Sequence, residues 1–161
     1  MGTLLVRHAT LVVTMDDHGT EYQDGALYVV DNVIQQVGPT AHLPSTADIV
    51  IDARDLVILP GLVNTHHHFF QTLTRNLPPA QNAGLFDWLR YHYPLWARLT
   101  PEALRVSTRV AIAELMRSGC TTSVDHTYIW PNGARIDDQI EVAREMGFRF
   151  HASRGSMSLD E

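Results

Sequence analysis

An apolar strand that runs straight into three histidines limits this chain more than any other feature. Pro60-Gly61 breaks the preceding pattern, Leu62-Val63-Asn64-Thr65-His66 reads as a buried strand, and His67 and His68 complete the triplet at its C-terminal end. Successive side chains on a strand point to opposite faces, so His66 and His68 share one face and His67 takes the other. Two imidazoles on one face form a half-site for a divalent metal, and a catalytic zinc takes about three protein ligands plus a water. Histidine suits zinc, iron, nickel and copper alike, so the residues alone do not choose the metal. The competing reading is three histidines on a polar loop. The apolar strand leading into them favours the metal.

Beyond the triplet the chain alternates helix and strand. Leu85-Phe86-Asp87-Trp88-Leu89 is the clearest part of a helical region. Thr100-Pro101-Glu102 opens a long helix, with Thr as the cap and Pro at the first helical position. Leu104, Ala111 and Leu115 share one stripe of it, and Gly119 is placed to end it. Thr121 to His126 is the next strand, Ile136 to Met146 a helix ending at Gly147, and Phe148 to Ala152 a further strand. This is a parallel βα pattern. A parallel barrel closes only with more strands than these, so we expect a fragment of a larger α/β fold.

Residues 1–58 have a different texture, of short strands separated by turns. Leu4-Leu5-Val6-Arg7 and Thr10-Leu11-Val12-Val13-Thr14 are rich in β-formers. Ala26 to Val30 and Val33 to Val37 flank Asp31-Asn32, a two-residue hairpin signal. Asp48 to Asp52 and Leu56 to Leu59 follow. Closely spaced strands of this kind predict part of a small β-sandwich over 1–58, ahead of βα units over 59–161.

Composition removes several classes of function. The net charge of −6 repels a polyanion, so no broad nucleic-acid interface is expected. A single cysteine, Cys120, forbids an internal disulfide, and no apolar run approaches the roughly 20 residues a membrane helix needs. With no signal-peptide pattern, the expectation is a cytoplasmic protein that does not engage a membrane.

Pro60-Gly61-Leu62-Val63-Asn64-Thr65-His66-His67-His68 resembles the metal motif of the amidohydrolase superfamily at the end of its first barrel strand. Phe69 to Arg75 is similar to the branch of deaminases and chlorohydrolases that act on nitrogen heterocycles. Leu85 to Leu89, Tyr93 to Trp96, Ser118 to Thr122, Asp125-His126 and Ser153 to Leu159 narrow the resemblance to the 8-oxoguanine deaminases. The resemblance implies the start of a (β/α)8 TIM barrel, incomplete here, preceded by part of a small β-sandwich. It implies one divalent metal, zinc by family expectation, with His66 and His68 as its first two ligands. The remaining ligands and a glutamate proton shuttle would lie beyond Glu161. The implied activity is hydrolytic deamination of a purine-like ring such as 8-oxoguanine, releasing ammonia. The implied partner is a small nitrogen heterocycle, and a homo-oligomer is left open. The alternatives are a chlorohydrolase acting on a triazine-like ring, or an inactive truncated fragment.

Three further residues are candidate substrate contacts. Gln71 follows His68 by three residues, and its amide donates and accepts together, which suits a lactam edge. His126 ends the second strand, where ligands bind in such barrels, although a structural histidine is the equal alternative. Trp88 offers an aromatic wall for a base, against the plainer reading that its spacing from Leu85 and Leu89 makes it core. Arg154 and Gly155 stand near the expected pocket mouth. Cys120 reads as a small core residue, and His8, His18, His42, His92 and His151 as structural or surface.

Overall fold

Two strand chemistries build the chain, whose computed structural model describes residues 2–156. The chain divides into two compact units, Met1–Pro60 and Gly61–Glu161.

In the first unit, β1 (Thr3–Val13), β2 (Glu21–Val30), β3 (Val33–Pro39), β4 (Ile49–Asp52) and β5 (Val57–Ile58) form one sheet. Its order is β3-β2-β1-β4, with β5 also pairing β1. The β2–β3 hairpin turns at Asp31-Asn32, where Asp31 takes a φ of 54° in place of the usual glycine. Leu4–Arg7 and Thr10–Thr14, expected as separate stretches, belong to a single strand as far as Val13. A bulge between Val6 and Ala9 kinks it, with His8 at a φ of 60°. The parallel neighbour breaks at the same place, giving β4 beside Leu4–Arg7 and β5 beside Leu11–Val12. Ala9, Val12 and Ala53 form the buried centre of this unit.

The second unit is an α/β layer. β6 (Leu62–Asn64), β7 (Cys120–Thr127) and β8 (Arg149–Arg154) run parallel in the order β6-β7-β8. Its helices are α1 (Leu85–Trp96), α2 (Pro101–Arg117) and α3 (Ile136–Glu145). The expected start and stop signals of α2 act as anticipated. Thr100 caps α2 by accepting the Ala103 N–H at 3.1 Å, and Gly119 leaves it at a φ of 83°. Between the sheet and α2/α3 lie Phe69, Ala111, Ile112, Cys120, Val142 and Phe148. A second cluster centres on Phe70, Trp96, Leu99 and Leu104. Arg105 bridges α2 to Asp138, Glu141 and Glu145 of α3.

The strand before the histidines differs from expectation in two respects. It ends at Asn64, and Leu62 and Val63 are 58% and 61% exposed rather than buried. A buried parallel strand needs neighbours at both edges and cover on both faces. β6 is an edge strand, with only β7 beside it among the described residues. No helix among the described residues is long and apolar enough to cross a membrane. Of the segment Ser153 to Leu159, residues Met157, Ser158 and Leu159 lie outside the described residues.

Candidate metal centre

The chain leaves β6 through a local turn, in which the Asn64 side chain accepts the His66 N–H at 2.9 Å. Contact with β7 resumes one step later, where the His126 N–H donates to the His67 carbonyl at 2.9 Å. The alternation expected of a strand therefore survives beyond its hydrogen-bonded end. His66 and His68 stand edge to face with ring centroids 5.1 Å apart, while His67 packs against Phe69 at 4.7 Å.

The tautomer of the neutral His68 ring follows from its neighbour. Its Nδ1 lies 2.6 Å from the His126 carbonyl oxygen. A carbonyl only accepts, so Nδ1 carries the hydrogen and Nε2 keeps its lone pair. A ring held through one nitrogen to a backbone carbonyl, with the other nitrogen free, is the usual state of a metal-binding histidine. The pair fits a divalent cation on that ground. Among the described residues no group of three or more His, Cys, Asp or Glu side chains is arranged to hold a metal, so His66 and His68 make a half-site.

Beside the pair opens a cleft of about 500 Å³, walled by His68, Gln71, Trp88, Tyr93, His126 and Tyr128 among others. His66 borders smaller recesses with His67 and His68. All five residues singled out in the sequence thus come to one face. The Gln71 amide donates to the Tyr128 hydroxyl at 3.2 Å, which leaves its carbonyl oxygen and one N–H for a ligand. Trp88 packs on the cluster around Trp96 and also walls the cleft. Gly155 lies so close to His126 that an added Cβ would sit 2.4 Å from the ring Nε2. Arg154 stacks over Trp130 at 5.7 Å.

Charge at the site is tuned mainly by burial. Burial lowers the His67 pKa, opposed by the charge of Asp125. Burial raises the Tyr128 phenol, with Tyr93 adding to the rise and the Gln71 hydrogen bond opposing it. Burial also raises the Asp125 carboxyl, against hydrogen bonds from the Phe69 N–H, Thr127 and Gln139. His92 is 1% exposed and set between the Trp88 and Thr74 carbonyls, a structural role.

Two site residues lay outside the candidates drawn from sequence. Tyr128 follows the end of β7 with no motif around it. Asp125 shares the buried face of β7 with Ser123 and Thr127. A carboxylate in register with two buried hydroxyls was the available signal.

Residues 57–161 match the amidohydrolase family. The chain is 50% identical over 140 residues to the 8-oxoguanine deaminase of Pseudomonas aeruginosa, an alignment covering 85% of this chain and 31% of that protein. Its structure resembles a triazine hydrolase from Arthobacter aurescens, with a TM-score of 0.89 and 30% identity over 99% of this chain and 37% of that one. It also resembles an adenosine deaminase from Xanthomonas campestris with bound zinc, with a TM-score of 0.80 and 32% identity over 91% of this chain and 32% of that one. The chain thus spans about a third of the length of these relatives.

Proposed function

We propose, because this chain belongs to the amidohydrolase family, that the protein carrying it hydrolytically deaminates a purine-like ring such as 8-oxoguanine. The observation that carries this reading is the His68 ring. Its Nδ1–H is fixed on the His126 carbonyl, so its Nε2 lone pair is free beside His66 at the edge of an aromatic cleft. The 50% identity to an 8-oxoguanine deaminase supports the choice of ring.

In this reading His66 and His68 are two ligands of one divalent metal, zinc as in the Xanthomonas campestris structure. When bound, it supplies Lewis-acid activation of water at neutral pH. The chain's own residues bind and orient the ring. Gln71 offers an oxygen and an N–H to a lactam edge, and Tyr128 fixes the amide through its hydroxyl. Trp88 gives a face for stacking, and His126 closes the side of the cleft next to His68. The second unit would supply the first three βα units of a (β/α)8 barrel, and the first unit part of a β-sandwich.

The test is a substrate panel on the full-length, zinc-loaded protein. Ammonia release from 8-oxoguanine, guanine or related pyrimidines is expected, and silence across that panel sinks the reading. The likeness to a triazine hydrolase favours one second reading, displacement of chloride from a triazine ring. Chloride release without ammonia release would select it.

A further inference from the structure

Asp125 lies on the face of β7 turned away from the histidine pair, yet it reaches the chain immediately after His68. Its Oδ1 accepts the Phe69 N–H at 2.5 Å. Its Oδ2 accepts the Thr127 hydroxyl at 2.8 Å and the Gln139 amide at 2.7 Å. Asp125, Thr127 and Gln139 are each 1% exposed. A carboxylate this deep in an apolar layer is retained only when its oxygens are fully engaged. Three donors converge on it, two of them from β7 and α3 and the third from the histidine segment.

The partners of that segment explain what the third contact does. The Ser107 hydroxyl of α2 donates to the Phe69 carbonyl at 2.5 Å. The His126 N–H holds the His67 carbonyl, and the His126 carbonyl holds the His68 ring. Phe69 is therefore gripped at its N–H by β7 and at its carbonyl by α2. The peptide joining His68 to Phe69 has one anchor that is a charged side chain rather than backbone, and that anchor is Asp125.

We infer that Asp125 is a positioning residue for the metal half-site: by holding the Phe69 N–H it fixes the peptide that sets where the His68 ring stands. The inference rests on the reading of His66 and His68 as metal ligands. A plainer role, tying β7 to α3 through Gln139, would use Oδ2 alone and leave Oδ1 without purpose.

Zinc affinity, measured on the full-length protein by competition with a chromophoric chelator, separates the two roles. Asp125→Ala removes the Phe69 acceptor and is expected to weaken zinc retention about 10- to 100-fold, the range for loss of an outer-shell partner. Asp125→Asn keeps an oxygen for Phe69, and Gln139→Leu cuts only the tie to α3. Both are expected to hold zinc like wild type, although Gln139→Leu melts earlier. Asp125→Ala holding zinc like wild type overturns the inference. So does Gln139→Leu losing as much zinc as Asp125→Ala, because affinity would then follow stability. If Asp125→Ala does not fold, the other two variants decide, and zinc loss in either overturns it. A wild-type protein that binds no zinc refutes the metal reading itself, a result distinct from wild-type retention with no effect of Asp125→Ala.

Discussion

The His68 ring is held through one nitrogen alone, Nδ1, by a carbonyl on the neighbouring strand. The spacing of His66 and His68 was legible because it needs only the period of a strand. The acceptor on His126 was not, because a parallel pairing across two intervening helices leaves no local trace. The same holds for Asp125 and Phe69, which meet only once β7 is beside the histidine segment. Gly155 shows the opposite case, a residue whose value is its missing side chain. An added Cβ would lie 2.4 Å from His126 Nε2 and 2.8 Å from Tyr128 Cβ. Gly155→Ala is expected to displace the His126 ring and to cost about 1–3 kcal/mol, as overpacking does. A shift of the His126 ring resonances with a lowered melting temperature would bear this out. An unmoved ring and unchanged stability would mean that the cleft is looser than the structure has it.

The helices and strands respond to changes at their ends in ways that differ in size. Thr100→Ala removes the cap of α2 and should cost about 1 kcal/mol in chemical denaturation. Leu104→Ala, four residues on, empties a position that is 2% exposed and should cost about 2–5 kcal/mol. If the two costs were equal, the helix would be held by its end rather than by its packed face. In the first unit, Asp48 fastens the start of β1, accepting the Thr3 N–H at 2.7 Å and the Thr3 hydroxyl at 2.9 Å. Those bonds hold its carboxyl below the ordinary 3.8. A depressed carboxyl contributes stability above its unfolded value, and the contribution fades as pH falls through the folded value. Carboxyl carbon shifts should therefore show Asp48 titrating below 3.8, with Thr3→Val moving the midpoint upward. An Asp48 midpoint that ignores Thr3→Val would discard the hydroxyl contact. The order of α2, β7, α3 and β8 was legible because Thr100, Gly119 and Gly147 mark the start of α2 and the ends of α2 and α3. Burial of β6 was not legible. Leu62 and Val63 have the side chains of a buried strand, and what covers a strand is set by neighbours rather than by its own sequence.

At the level of the whole molecule, one face collects the histidine pair, an amide and aromatic walls. The two units carry different loads in this account. Every residue assigned to the metal or to the ring lies in the second unit, and the first contributes a sheet with its own small core. The proposed hydrolysis depends on His66 and His68 holding the metal. The measurement that reaches it most directly is ammonia release from 8-oxoguanine by the full-length protein, compared with its His66→Asn/His68→Asn double variant, each assayed with its bound zinc quantified. Zinc-dependent ammonia release by the wild type is expected, with loss of both zinc and turnover in a double variant that remains folded. A folded double variant that still releases ammonia at the wild-type rate would contradict it.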